Sequence, residues 1–276
     1  MIETLRRYAA RIATSDPPRG RVALFWLGQA GFVVRGGRTT LAIDVFLTDR
    51  PDRRHPPPVA ASELGFVDAF LATHEHRDHL DLPIWPALAE AAPDARFVVP
   101  APIAERAAGA VGTHRVVGAV PEVELAIGEA RVTPVPACHG VDMADAYGFG
   151  RTPGEYRFLG YVVDVGGVRI YHAGDTIRYD GMAERLRALG VDVALLPING
   201  RSAEREAQNL VGNLSAAEAA DLAAEAGIRA VIPMHYELFA RNSGDPRTLV
   251  ERVASAHPEI AVHVLGRYDG VVLGRA

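Results

Sequence analysis

The feature that most constrains this chain is a dense group of histidines and an aspartate that directly follows an apolar run. Residues 67–72 are mostly apolar and partly β-branched, a composition typical of a buried strand. The next segment, residues 74–79, reads His-Glu-His-Arg-Asp-His. Imidazole and carboxylate groups at this density form a ligand set for a divalent metal ion. The alternative is a solvated, histidine-rich turn, which we disfavour because scattered histidines seldom collect beside an aspartate at the end of a strand.

Composition excludes several classes of function. The chain has 276 residues, of which 49% are hydrophobic and 23% charged, as in an ordinary globular protein. All 29 basic residues are arginine, so lysine nucleophiles, Schiff-base chemistry and the lysine of a P-loop are excluded. The net charge of −5 and the scattered arginines predict no nucleic-acid-binding surface. The single cysteine, Cys138, excludes an intramolecular disulfide and fits a reducing compartment.

The sequence also predicts where the protein acts. It has no apolar run long enough to span a bilayer, and its N-terminus lacks the continuous apolar core of a signal peptide. We therefore expect a cytoplasmic protein that has no membrane contact and acts on a small molecule. A homo-oligomer is compatible with the sequence, which does not set the oligomeric state.

Hydrophobic periodicity and turn residues predict an α/β chain in which hairpins interrupt a parallel plan. Strands are predicted at residues 22–27, 31–35, 39–45, 67–72, 96–99, 115–117, 123–127, 130–135, 159–165, 168–172, 191–196, 229–233, 260–265 and 270–273. Helices are predicted at residues 1–13, 82–91, 103–109, 182–189, 216–226 and 246–256. Because hairpins are rare in a simple doubly wound sheet, we expect two mixed sheets packed together, with helices on their outer faces. No linker divides residues 1–276, which predicts one domain with a helical extension at residues 1–20.

Three further segments place a histidine or an aspartate directly after a predicted strand. Loops at the strand ends on one edge of a layered α/β fold face a common crevice. The predicted ligands of one ion are His74, His76 and His139, those of a second ion are Asp78, His79 and His235, and Asp175 bridges the two. Two ions held in this way are typical of hydrolysis in which an intervening hydroxide is the nucleophile.

The whole pattern resembles the metallo-β-lactamase superfamily over residues 22–264. The resemblance rests on His-x-His-x-Asp-His at residues 74–79, followed by the isolated His139, Asp175 and His235. It implies an αβ/βα sandwich with a dinuclear metal centre at one edge between the sheets. It also implies the same seven ligands in the same two groups.

A narrower resemblance is to the L-ascorbate-6-phosphate lactonase branch. Residues 26–32 (Trp-Leu-Gly-Gln-Ala-Gly-Phe), 71–76 and 231–235, and the ending Asn242-x-x-Asp245-Pro246, are similar to that branch. This chain is shorter and differs around residues 138–139, so the substrate of those lactonases is not carried over. The resemblance implies two divalent ions. It favours manganese, the wider superfamily favours zinc, and iron also fits the mixed ligand set.

We therefore predict a metal-dependent hydrolase of a small ester-like substrate, with a lactone of an acidic or phosphorylated sugar favoured. Asp78 or Asp175 would orient the nucleophile. Two alternatives stay open. One is a phosphodiesterase of the same superfamily that acts on a phospholipid, a cyclic nucleotide or RNA. The other is a non-hydrolytic metal-binding protein or a diiron redox module, for which a carboxylate in place of His76 is expected.

Residues around the predicted centre suggest further roles. Asp44 ends a strand, and we expect it either to hydrogen-bond a ligating histidine or to cap a surface loop. Asn199 and Arg201 follow a buried strand, and Arg201 could bind a substrate carboxylate or phosphate through its planar fork. Tyr236 follows a ligand directly and either donates to a substrate oxygen or forms part of the wall. Residues 140–157 form either a lid over the crevice or a disordered excursion.

Overall fold

The computed structural model of the protein describes residues 2–275. Its strands are β1 (Arg21–Gly28), β2 (Gly31–Gly36), β3 (Thr39–Ile43), β4 (Ala69–Leu71), β5 (Arg96–Pro100), β6 (Val116–Ala119), β7 (Leu125–Ile127), β8 (Ala130–Pro136), β9 (Leu159–Val165), β10 (Val168–His172), β11 (Val193–Pro197), β12 (Ala230–Met234), β13 (Ala261–Val262) and β14 (Gly270–Gly274). Its helices are α1 (Ile2–Thr14), α2 (Trp85–Ala91), α3 (Ala104–Val111), α4 (Met182–Ala188), α5 (Ala203–Glu206), α6 (Ala216–Ala226) and α7 (Pro246–Ala256). Within this described part of the chain, no helix has the length and apolar character needed to cross a lipid bilayer.

The strands form two seven-stranded sheets with the same internal plan. The first has the order β14-β1-β2-β3-β4-β5-β6, and the second has the order β13-β12-β11-β10-β9-β8-β7. Each sheet has three antiparallel pairings on one side of a central strand and three parallel pairings on the other. The central strand is β3 in the first sheet and β10 in the second. Helices flank the two sheets. This confirms the predicted α/β class and its αβ/βα arrangement of two mixed sheets.

The strand β1 explains why the first sheet is buried on both faces. Successive side chains of a strand point to opposite faces. Val22, Leu24 and Trp26 belong to the large apolar cluster that also contains the second sheet. Phe25 and Leu27 belong to the cluster that contains α1, α2 and α3. Because both faces are covered, β1 is a continuous apolar run, as strands covered on both faces are.

The N-terminal segment packs on the outer face of the first sheet as α1. The predicted helix at 1–13 corresponds to this element, although Met1 lies outside the described residues. The hydroxyl of Tyr8 donates a hydrogen bond of 2.6 Å to the carbonyl of Trp26. The guanidinium of Arg35 donates to the carbonyls of Ile12 and Ala13, at 2.7 and 2.6 Å, and so satisfies the C-terminal end of the helix.

Several element boundaries differ from the predictions, among them the strand predicted at 67–72, which spans only Ala69–Leu71, and the strand predicted at 260–265, which spans only Ala261–Val262. Three further differences have an evident local reason. The strand predicted at 39–45 ends at Ile43, because Asp44 takes a left-handed conformation with φ of 49°. The helix predicted at 82–91 begins only at Trp85, after a turn in which the carbonyl of Asp81 accepts from Ile84. The polar loop that follows Asn199 contains the short helix α5.

The fold gathers strand ends at one edge. β4 and β5 run parallel to β3, while β11 and β12 run parallel to β10, so the loops that follow these strands leave each sheet on a single side. The antiparallel order β8-β9-β10 gives β8 the same direction as β10. All the predicted ligands therefore lie in loops at one edge between the sheets.

The N-terminus of α6 provides a test of local stability. The hydroxyl of Ser215 accepts from the backbone N–H of Glu218 at 3.2 Å, and the Glu218 carboxylate accepts from the backbone N–H of Ser215 at 2.8 Å. We expect Ser215→Ala to lower the free energy of unfolding by about 1 kcal/mol, because one helix N–H loses its acceptor. Urea denaturation measures the change. Ser62→Ala is the control, since Ser62 is exposed and makes no side-chain hydrogen bond among residues 2–275. Equal stability of the two variants would contradict the prediction.

Candidate metal centre

A carboxylate at the end of β3 holds the start of the histidine loop. Asp44 is fully buried, and its two oxygens accept hydrogen bonds of 2.8 Å from the backbone N–H and the hydroxyl of Thr73. The carbonyl of His76 then accepts from the backbone N–H of His79 at 3.0 Å and of Leu80 at 2.7 Å. This tight turn reverses the chain, so that residues 74, 76, 78 and 79 all face one place.

The structure brings all seven predicted ligands together in two groups. The first group is His74, His76, His139 and Asp175, and the second is Asp78, His79 and His235; within each, the candidate ligand atoms lie within 4.8 Å of one another. Nε2 of His74 lies 2.9 Å from Nδ1 of His76 in the first group. In the second, Oδ2 of Asp78 lies 3.6 Å from Nε2 of His235.

Asp175 lies between the two groups. Its Oδ1 is 3.3 Å from Nε2 of His79 and 3.3 Å from Nε2 of His235. Its Oδ2 is 3.5 Å from Nε2 of His139. The two oxygens of one carboxylate thus face different histidine sets.

Several ligand atoms are buried without any hydrogen-bond partner among the described residues. They are Nε2 of His79, both ring nitrogens of His139, and Oδ1 of Asp175. A buried polar atom without a partner costs about 1–3 kcal/mol. A divalent cation would remove this cost at His79, at Asp175 and at one ring nitrogen of His139, because it accepts lone pairs from both imidazole and carboxylate. The residues present therefore fit a metal.

Hydrogen bonds on the far side of two rings set which nitrogen is offered to the site. Nδ1 of His79 donates to Asp44 at 2.7 Å, which leaves Nε2 free. Nε2 of His76 donates to the carbonyl of Val141 at 2.9 Å, which leaves Nδ1 free. Such contacts fix the tautomer and orientation of a ligating histidine. The hydrogen bond from His79 is the contact predicted for Asp44.

Burial and charge act in opposite directions on the two kinds of ligand. Burial alone would raise the pKa of Asp78 and Asp175, but His79 and His235 outweigh it and lower both pKa values below the usual range of a carboxyl group. Burial lowers the pKa of His139 to about 3. At His235 the effect of burial is outweighed by the two aspartates, which raise the pKa to about 9. Both carboxylates are therefore ionised at neutral pH, and cations are favoured between them.

A pocket of about 200 Å³ opens over the ligands. Its lining comprises His76, Arg77, Asp78, His139, Val141, Asp175, Asn209, Leu210, Val211, His235 and Asn242. A small polar substrate can therefore reach the ligand atoms of both groups from one side.

Comparison with known proteins agrees with the metal-binding geometry of the site. A family model described as "Beta-lactamase superfamily domain" matches residues 39–236. The chain belongs to the metallo-β-lactamase superfamily. It is 33% identical, over 229 residues, to a UPF0173 metal-dependent hydrolase of Pyrococcus furiosus, with 82% of this chain and 89% of that protein covered. It is 29% identical, over 252 residues, to a UPF0173 metal-dependent hydrolase of Rubrobacter xylanophilus, with 89% and 94% covered.

A solved structure shares the fold of this superfamily member. It is Igni18, described as a novel metallo hydrolase from the hyperthermophilic archaeon Ignicoccus hospitalis, with a TM-score of 0.71 and 21% sequence identity. The match covers 92% of this chain and 98% of that chain. The prediction of a metal-dependent hydrolase with this fold is thus confirmed at the level of the superfamily.

Of the three residues predicted to bind substrate, none lines the pocket of this hydrolase. The guanidinium of Arg201 is held by the carboxylate of Glu218 through two hydrogen bonds of 2.8 and 2.6 Å, so its fork is occupied. The hydroxyl of Tyr236 donates to the carbonyl of Leu265 at 3.1 Å, and its ring stacks on Trp26, so it is a wall residue.

Asn199 is buried behind the pocket and orients a residue that does line it. Its side-chain N–H donates to Oδ1 of Asn242 at 2.7 Å, and its own Oδ1 accepts from Asn213 at 3.0 Å. The NH₂ of Asn242 is thereby left for the pocket. In the sequence, Asn242 appears only within a motif and has no predicted role.

Gln29 is a further site residue that sequence reasoning missed. It is fully buried in the turn between β1 and β2, with φ of 52°. Its side-chain NH₂ donates to Oδ2 of Asp78 at 2.9 Å and lies 3.0 Å from Nε2 of His235. Its backbone carbonyl accepts from the N–H of His235 at 2.9 Å. The signal for it was a polar side chain in the tight turn between Gly28 and Gly31, beside the predicted site.

Residues 140–157 contribute Val141 to the pocket lining and are hydrogen-bonded to the metal ligands and their loop. The backbone N–H and carbonyl of His139 pair with Gly148 at 2.8 and 2.7 Å. Arg157 forms an ion pair with Glu75, which lies between His74 and His76, and both side chains are mostly buried. The carbonyl of Val141 accepts from His76, as described above. The segment is therefore ordered against the site, and its movement as a lid stays a prediction.

The contact between Asp44 and His79 can be tested directly. We expect Asp44→Asn to weaken metal binding by about ten- to a hundredfold. The amide is neutral, and its single oxygen cannot accept from His79 and from both donors of Thr73. Competition with a chromogenic chelator measures metal affinity, and circular dichroism checks that the variant is folded. Asp94→Asn, at an exposed turn, is the control. Unchanged affinity in a folded Asp44→Asn variant would rule out this role.

The pair of Arg201 and Glu218 predicts a pH dependence of stability. The hydrogen bond from Arg201 lowers the pKa of Glu218 from 4.5 to about 2 in the folded hydrolase. A carboxyl whose pKa falls on folding contributes stability that is complete above its unfolded pKa and is lost as the pH falls towards its folded pKa. We expect Glu218→Gln to be less stable than the wild type at pH 6, and this difference to shrink by pH 3. Thermal unfolding across that range measures it. Exposed Glu204→Gln should show no such trend.

Proposed function

We propose that this hydrolase binds two divalent ions and opens a lactone of an acidic or phosphorylated sugar. Manganese and zinc are the favoured ions, and iron also suits the mixed nitrogen and oxygen set. The observation that carries the proposal is the position of Asp175. Because its two oxygens face separate histidine sets, 3.3 Å from His79 and 3.5 Å from His139, one carboxylate can serve both ions.

The ligand residues divide the work in this proposal. His74, His76 and His139 hold one ion, and Asp78, His79 and His235 hold the other. When bound, such ions lower the pKa of water from about 15.7 to about 7 and polarise a carbonyl oxygen. Asp78 and Asp175 accept hydrogen bonds from the attacking water and fix its direction towards the substrate carbonyl. Gln29 donates to Oδ2 of Asp78 at 2.9 Å and so limits the rotation of that carboxylate.

Two amides on the pocket wall are suited to the substrate. Oδ1 of Asn209 accepts from the backbone N–H of Met143 at 2.8 Å, and Oδ1 of Asn242 accepts from Asn199 at 2.7 Å. With both oxygens occupied, each NH₂ is available to donate to a substrate oxygen. Ester and sugar oxygens are acceptors of this kind, and such donors positioned in advance stabilise charge that develops on oxygen.

The proposal predicts the behaviour of Asp175→Asn and His76→Ala. We expect wild-type protein purified from its own host to contain two ions per chain, and both variants to contain fewer. We also expect kcat/KM on a panel of sugar lactones to fall by about a hundredfold or more, because the preorganised charge of the site is lost. Elemental analysis and titration of the acid released measure these quantities. His257→Ala is the control, since His257 contacts Asp221 at 2.8 Å outside the site.

Two outcomes would contradict the proposal. One is lactone hydrolysis that survives in metal-depleted Asp175→Asn protein. The other is a wild-type enzyme that ignores every lactone but cleaves bis(p-nitrophenyl) phosphate, which would assign the site to phosphodiesters.

A further inference from the structure

The pocket over the metal ligands continues into a second cavity. The second cavity has a volume of about 460 Å³, against about 200 Å³ for the first. Arg77, Asp78, Leu210 and Asn242 line both, so the two spaces are contiguous. A substrate that places its ester at the ligands can therefore extend its remaining atoms into the larger space.

Two arginines with no acidic partner line this second cavity. Arg77 lies between His76 and Asp78 in the metal loop; its side chain is exposed and makes no hydrogen bond or ion pair with the described residues. Arg241 donates to the side-chain oxygen of Gln208, which is a neutral partner. Other arginines near the site have acceptors among the described residues, as Arg201 has in Glu218 and Arg205 in the carbonyls of Asn199 and Ser243. The cavity therefore carries two uncompensated positive charges.

The acidic groups of the same cavity do not cancel these charges. Asp52 accepts two hydrogen bonds from Arg50, at 2.8 and 2.9 Å, so its charge is already paired. Asp78 belongs to the metal ligands and accepts from Gln29. Both carboxylates therefore have other partners, and neither forms an ion pair with Arg77 or Arg241 among the described residues.

The rest of the lining is largely apolar. Leu210, Phe239 and Ala240 contribute carbon surface between the two arginines. This apolar surface offers the carbon skeleton of a ligand a contact area beside the two exposed guanidinium groups. The combination suits a ligand with a carbon skeleton and an anionic end.

From this arrangement we infer that Arg77 and Arg241 form a subsite for an anionic group, carboxylate or phosphate, at the end of the substrate away from the scissile bond. The inference rests on the proposed function for the direction in which the substrate lies. It assigns to these two residues the role that the sequence had suggested for Arg201. Guanidinium groups bind both anions through paired N–H donors.

Binding of three matched sugar acids tests the inference. The ligands are D-gluconate, D-glucarate and D-gluconate 6-phosphate, which differ only in carrying a hydroxyl, a carboxylate or a phosphate at the far end. Isothermal titration calorimetry on manganese-loaded protein measures the affinity of each. We expect the wild type to favour a charged end over the hydroxyl by about a hundredfold, from about tenfold for each partly exposed charged contact. Whichever of the two charged ligands binds more tightly identifies the natural group.

Variants then assign the preference to residues. Arg77→Gln and Arg241→Gln should each reduce the preference by about tenfold, and the double variant should abolish it. Arg77→Lys should restore part of it, because the charge returns without the planar fork. The control is Arg229→Gln, an exposed arginine that precedes β12, at the opposite end of that strand from His235. Metal content is measured for every variant, so that a disturbed centre is detected.

The result that overturns the inference is a wild type without preference for either charged ligand, or a preference that survives in the double variant. The lactone panel decides the proposed function separately. A protein that opens no lactone but loses its preference for charged sugar acids in the double variant would keep the subsite and refute the reaction. A protein that opens lactones but keeps the preference in the double variant would support the reaction and refute the subsite.

Discussion

The buried carboxylate of Asp44 is the group on which the metal centre depends. Burying an ionised carboxylate is costly unless hydrogen bonds replace its water. Three donors do so here, two from Thr73 and one from His79. The bonds from Thr73 connect the end of β3 to the start of the histidine loop, and the bond from His79 orients one ring of that loop. The Asp44 carboxylate therefore connects the first sheet to the site.

The centre is completed only when both sheets are in place. The loop after β4 supplies His74, His76, Asp78 and His79, whereas His139, Asp175 and His235 come from loops of the second sheet. Ligands that converge only in the folded state make metal binding a contribution to folding stability. The ligand atoms buried without a partner among the described residues are consistent with this coupling, because a bound cation would satisfy them.

The ligands could be predicted from the sequence because the position of each one follows from the topology of the sheets. A polar residue directly after an apolar strand lies at a sheet edge, and parallel strands deliver such residues to the same edge. Substrate-binding residues could not be predicted in this way, since their function depends on which partner each side chain finds. Arg201 stands at a suitable strand end, but Glu218, three residues beyond the helix cap, takes its fork. Arg77 stands between two predicted ligands in the sequence, but only the structure shows that its side chain has no hydrogen-bond or ion-pair partner among residues 2–275. Gln29 was missed because its motif at residues 26–32 marks a tight turn but does not show which groups the amide contacts.

The row of amides behind the pocket has a direction, and under the proposed function that direction would favour some substrates over others. Asn213 donates to Oδ1 of Asn199, and Asn199 donates to Oδ1 of Asn242, so these two oxygens are occupied and the NH₂ of Asn242 is left for the pocket. A ring oxygen of a lactone placed there meets a donor. The ring N–H of a lactam in the same position would meet a second donor, and neither hydrogen would find an acceptor. Two buried asparagines that touch no substrate would thus distinguish esters from amides by polarity alone, without any difference in shape.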